Sequence, residues 1–176
     1  MRGKFYLPAL IYLGAEHGTS KQEALTLLWK DIDFDYQGSG LIRIFRTKNG
    51  HERTEFLMPN SRQALLDRRA HIKWMRKRKR IKAVSDEFVF GRLNGTPIKR
   101  FDSAWGSLCE MAGFDDLNYH DLRHTFCSNL ILSGSDLKDV NEMIGHRDLS
   151  TTDRYSHLTA IHKKHNQERL AAHYAR

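Results

Sequence analysis

Apolar positions along this chain follow a helical period, then a strand period, then a helical period again. Pro8 suits the first turn of a helix over residues 9–16, where its missing N–H has no intrahelical partner to lose. Gly18 ends that helix, because glycine enters the left-handed conformation without a Cβ clash. Ser20 caps a second helix, and Glu23 three positions later completes a capping-box pattern. Ala24, Leu25, Leu27, Leu28 and Trp29 give this helix a face to bury. From Ile32 the pattern shortens to runs at 32–36, 41–45 and 54–58, parted by Gln37-Gly38-Ser39-Gly40 and Lys48-Asn49-Gly50. A three-stranded antiparallel meander is expected, with a tight turn at Asn49-Gly50 because a type I′ turn needs positive φ at both centres.

Beyond Pro59 and Asn60 a helix is expected over residues 61–79, its later part and the residues to Lys82 forming a basic run. A solvated helix face is the plain reading of that run; base reading or phosphate contact are the alternatives. Phe88-Val89-Phe90 reads as a short extended piece, residues 101–113 as a helix, and a further helix opens at His120 and runs through Leu130. The whole reads as an α+β chain, mainly α-helical, with one small sheet near the N-terminal third.

With 176 residues, 40% of them hydrophobic, the chain can bury one core, so residues 1–176 are expected to form one domain. A net charge of +8 favours a polyanionic partner, and phosphate backbones are the commonest. Solubility alone also explains excess lysine and arginine, so charge needs a site beside it. Cys109 and Cys127 make neither a metal-ligand pattern nor a disulfide framework, which fits a reducing cytoplasm. The apolar stretch 7–13 falls far short of the roughly 20 residues that span a bilayer, and no signal peptide is legible.

Candidate chemistry gathers in the last third. On a helical wheel His120, Arg123, His124 and Cys127 share one side, and Leu122, Phe126 and Leu130 lie toward the other. Gly145-His146 follows, and then Ser150-Thr151-Thr152-Asp153-Arg154-Tyr155, where Ser150 with Asp153 can cap a short helix bearing Tyr155. Each residue taken singly has a dull explanation; Tyr155 alone reads as a packing tyrosine, and His124 alone as a satisfied core histidine. Their joint spacing is what carries weight.

His120-x-x-Arg123, Gly145-His146 and Tyr155 nine residues later resemble the boxes of the tyrosine recombinase (phage integrase family) catalytic domain. Residues 23–33 are similar to the family's segment after its first arginine, and Thr47-Lys48-Asn49-Gly50 to the hairpin that bears its catalytic lysine. The resemblance implies DNA strand cleavage and rejoining through a 3′-phosphotyrosyl bond, for site-specific recombination or integration. In it Tyr155 is the nucleophile, Arg123 the phosphate clamp, His120 the general base and acid, His146 a phosphate hydrogen-bond donor and Lys48 the acid for the leaving 5′ oxygen. These types suit the chemistry: a guanidinium matches charge growing on non-bridging oxygens, and a phenol of pKa near 10 needs its proton taken. Glu23, Asp121 and His124 read as supports that orient neighbours.

The same resemblance implies double-stranded DNA as partner, self-association through a C-terminal tail carrying Leu158, Ile161 and Leu170, for which packing within the chain is the equal alternative, no metal or nucleotide cofactor, and a cytoplasmic, nucleoid-associated protein. The amino-terminal core-binding domain usual in such recombinases has no room in these residues. One position departs from the pattern: the family's first arginine falls on Ser20, with Lys21 one residue out of register. Loss of one such donor commonly costs about 100- to 1,000-fold in rate, so a weak or inactive DNA-binding relative is the alternative. The rival from another class is a zinc site on His120 and His124, spaced as in His-Glu-x-x-His helices but with Arg123 beside the metal.

Overall fold

The computed structural model describes residues 5–46, 51–85, 87–145 and 155–175. Helix α1 (Leu7–His17) has Pro8 in its first turn and ends at Gly18, which sits at φ 57°. Leu10 and Leu13 are fully buried. At Gly14 a Cβ would come within 2.8 Å of the Leu122 side chain, so glycine is what lets α1 lie close against α5 (Tyr119–Ser133). Gly18 meets two demands at once, since a Cβ there would also lie 2.5 Å from the Phe126 ring.

Helix α2 (Lys21–Thr26) begins with the expected capping box. Its end is earlier than its apolar run suggests. Leu27 is extended, Val89 N–H donates to the Leu27 carbonyl at 3.0 Å, Leu28 bridges Phe88, and Trp29 begins a short 3-10 turn. Leu27–Trp29 are therefore drawn off the helix by a segment some sixty residues away, which a local apolar run cannot reveal.

Strands β1 (Ile32–Asp33), β2 (Leu41–Arg46) and β3 (His51–Phe56) form an antiparallel sheet in chain order. The first is shorter than expected, because Asp33 Oδ1 accepts from Asp35 N–H and starts a turn. The third lies earlier than 54–58, since Arg46 pairs with His51 across the hairpin. The Asn49-Gly50 turn lies outside the described residues. Ile42 and Ile44 are buried on the core side of the sheet.

Helix α3 (Pro59–Lys79) is tied to the end of α1 by Glu16, whose carboxylate accepts from Asn60 and from both Ser61 N–H and Oγ. Its basic residues 76–79 fill the last turn, where the carbonyl end favours cations, and Lys77–Lys79 are exposed as a solvated face. Arg68 is buried and donates to the Val89 and Gly91 carbonyls; burial pulls its pKa down to about 10.

Helix α4 (Asp102–Ala112) and α5 meet through edge-on contacts among Phe101, Trp105 and Tyr119. Helices α6 (Leu137–Met143) and α7 (Ser156–Tyr174) follow, both packed on α5. One large apolar cluster joins α1, the sheet, α3 and α4, and a smaller one holds Phe126, Cys127, Ile131, Val140, Ile144 and Tyr155. Helix α5 serves both clusters, so the side carrying Arg123 and Cys127 is as buried as the one carrying Phe126. Cys109 and Cys127 are free, buried thiols. Among the described residues no helix is long and apolar enough to cross a membrane.

Candidate active site

The site is built on the first turns of α5. Asp121 reaches back to accept from the Asn118 N–H at 2.7 Å, which fixes the start of the helix and so the directions of the side chains that follow. The next turn carries Arg123 and His124.

Arg123 is 3% exposed. Its Nη1 donates to the Gly18 carbonyl at 2.6 Å and lies 3.4 Å from Glu23 Oε2, and its Nη2 donates to the Ile144 carbonyl. A buried guanidinium is tolerated only with such partners, and carbonyls from two other segments fix its plane. Glu23 is held in turn by the Ser20 N–H at 2.8 Å. Ser20 contributes its backbone and its cap to this site and brings no charge.

Tyr155 stands at the start of α7, 7% exposed, with its hydroxyl hydrogen-bonded to His124 Nδ1. The ring of His120, which is itself exposed, sits edge-on to that of His124 at 5.0 Å. Two imidazoles, a phenol and an arginine therefore converge on one end of α5. Of the residues singled out by spacing, the described ones come together here: His120, Arg123, His124, Tyr155 and Glu23. Lys48 and His146 lie outside the described residues, as do Ser150 and Asp153, the expected cap before Tyr155.

His124, read from the sequence as a support, meets the tyrosine hydroxyl itself. Lys21 turns to Asp102 on α4 as an ion pair and lies over the Phe101 ring at 5.3 Å. The hydrogen bond from Lys21 is the main reason the Asp102 carboxyl is held below its usual range. Arg53 on β3 was not signalled by any motif, yet its Nη1 lies 3.4 Å from Glu23 Oε1. The available clue was alternation: Arg53 and Glu55 share one face of a strand. Among the described residues no third His, Cys, Asp or Glu joins His120 and His124 in a group able to hold a metal.

The mainly helical scaffold with its small three-stranded antiparallel sheet is the fold of tyrosine recombinase catalytic domains. The chain matches the phage integrase family over residues 2–162 and belongs to that family. It is 32% identical over 157 residues to tyrosine recombinase XerC of Xanthomonas axonopodis pv. citri (strain 306), covering 88% of this chain and 47% of the relative. It is similar to the crystal structure of XerA recombinase, with a TM-score of 0.71 and 22% identity over 94% of this chain and 59% of that one. The XerH site-specific recombinase, in a post-cleavage complex with palindromic difH substrate, aligns over 100% of this chain and 48% of its own, with a TM-score of 0.69 at 22% identity. The chain spans about half the length of the curated relatives it matches.

Proposed function

We propose that this chain is the catalytic part of a site-specific DNA recombinase that cleaves and rejoins strands through a 3′-phosphotyrosyl intermediate. The observation that carries the reading is the bond between Tyr155 and His124 beside the buried Arg123. Tyr155 Oη forms a bond to phosphorus while the bond to the 5′ oxygen breaks. The phenolic proton passes to the imidazole at its hydroxyl, His124, with His120 edge-on behind it and sharing the acid–base work. Arg123 stabilises the charge that builds on the non-bridging oxygens. By family resemblance His146 donates to the phosphate and Lys48 protonates the departing 5′ oxygen. The phosphotyrosyl bond keeps the energy of the cut strand, so a 5′ hydroxyl can reverse or exchange it.

Double-stranded DNA is the partner in this reading, supported by the charge of +8 and by the DNA complex of XerH. Helix α7, with exposed Leu170 and Tyr174, is the candidate surface for self-association on DNA, and the cytoplasm is the proposed location. Incubation with a nicked suicide duplex, followed by a denaturing gel, tests the reaction: a covalent adduct that disappears in Tyr155→Phe is the expected result. Salt-dependent binding without an adduct would sink it in favour of a second reading, DNA binding with weak or absent cleavage. One observation favours that alternative: Ser20 stands where the family has an arginine and is fully employed as a helix cap.

A further inference from the structure

Behind Arg123 runs a line of alternating charge, Arg123–Glu23–Arg53–Glu55, drawn from α5, α2 and β3 and ending on the His17 ring of α1. Arg123 on α5 and Arg53 on β3 take opposite oxygens of the Glu23 carboxylate, each at 3.4 Å. Arg53 Nε donates to Glu55 Oε1 at 2.7 Å, and Glu55 Oε2 meets His17 Nδ1, at the end of α1, at 2.8 Å. Arg53 Nη2 also donates to the His17 carbonyl at 2.9 Å. These five side chains are between 1% and 11% exposed, so the charges of the two arginines and the two glutamates interact with little screening.

A carboxylate with only Arg123 beside it would turn both oxygens to that guanidinium and cancel its charge. With Arg53 on Oε1, Glu23 meets Arg123 through Oε2 alone, and the plane of Arg123 is left to the Gly18 and Ile144 carbonyls. Ser20 gives Glu23 an N–H but no cation, so Arg53 is the second guanidinium on this carboxylate.

We propose that Arg53 is a positioning residue of the phosphate site: held by Glu55 and His17, it orients Glu23 and offsets its charge, so that Arg123 keeps its positive field for the DNA phosphate. This rests on the reading of Tyr155 as the nucleophile. The experiment measures single-turnover adduct formation on a suicide duplex at saturating protein, with duplex Kd and Tm measured in parallel. Arg53→Gln is expected to slow adduct formation by about 10- to 100-fold while Kd changes by less than about threefold. Adding Glu23→Gln is expected to restore about tenfold of that loss, because the carboxylate left without its second cation is gone. If Arg53→Gln does not fold, Arg53→Lys is the probe, with an expected loss of about tenfold from the missing fork at unchanged Kd.

An unchanged rate in the folded variant overturns the proposal. So does a loss that Glu23→Gln leaves unrepaired while Tm falls in step, which marks a purely structural arginine. A wild-type protein that forms no adduct overturns the cleavage reading and the role of Arg53 with it. A wild-type adduct matched by Arg53→Gln overturns only the latter.

Discussion

Tyr119 and Tyr155 are both buried tyrosines beside helix starts, 6% and 7% exposed, and both meet the N-terminal part of α5, but with different partners. Tyr119 sits in the large cluster, edge-on to Phe101 and Trp105, and its hydroxyl donates to the Leu10 carbonyl at 3.0 Å while accepting from Thr19 at 2.9 Å. Burial pushes its pKa well above the ordinary value, because a phenolate there would be stripped of water. Tyr155 sits in the small cluster, and its hydroxyl meets an imidazole. Burial therefore does not separate a packing phenol from the one proposed as nucleophile. The partner does: a carbonyl can only accept a hydrogen bond, whereas an imidazole can carry the proton away.

The widest contrast is expected from removing each hydroxyl. Tyr155→Phe abolishes the covalent DNA adduct, a fall of at least about 1,000-fold, whereas Tyr119→Phe forms it within a few fold of wild type. If both variants lost the adduct while remaining folded, the two tyrosines would not differ in kind. Replacing the partner is next in size. His124→Phe keeps the ring volume and removes the proton acceptor, so the adduct rate is expected to drop by about 100- to 10,000-fold with DNA affinity retained. A rate equal to wild type would move the proton acceptor to His120.

The packing tyrosine is tested by stability. Tyr119→Phe leaves the Leu10 carbonyl and the Thr19 hydroxyl without their partner, and urea unfolding is expected to show a loss of about 1–3 kcal/mol. The pH dependence has a definite sign: the folded pKa of Tyr119 is raised, so its contribution is fully present below about pH 10 and is lost as pH rises further. Wild type should thus lose stability above pH 10 more steeply than Tyr119→Phe. Parallel alkaline curves would show that the Tyr119 hydroxyl titrates alike in both states. The smallest effect is expected at Ser20, where Ser20→Ala removes the bond to Glu23 N–H and costs about 1 kcal/mol in the same unfolding measurement.

Legibility in the chain divides by distance along it. The start and stop of α1, the capping box of α2, the helices on either side of the sheet and the meander order all follow from spacings of a few residues, and they stand where the pattern puts them. Misplaced ends have remote causes: Leu28 leaves its helix to pair with Phe88, and β3 shifts because Arg46 pairs with His51. Within the site, spacing picked out Tyr155, Arg123, His120 and Glu23, but it gave His124 a supporting place. Its contact with Tyr155 joins residues 31 apart.

The sequence by itself determined the family, the mainly helical class with its small sheet, and the residue types that suit a phosphodiester, because capping, glycine stereochemistry, periodicity and motif spacing are local. Only the tertiary structure decided that Arg123 is buried and held by carbonyls from two other segments, that Tyr155 rests on His124, and that Arg53 shares Glu23 with Arg123. These are electrostatic relations between groups brought together from four distant elements, and a charge's environment is set by what folds around it rather than by its neighbours in the chain.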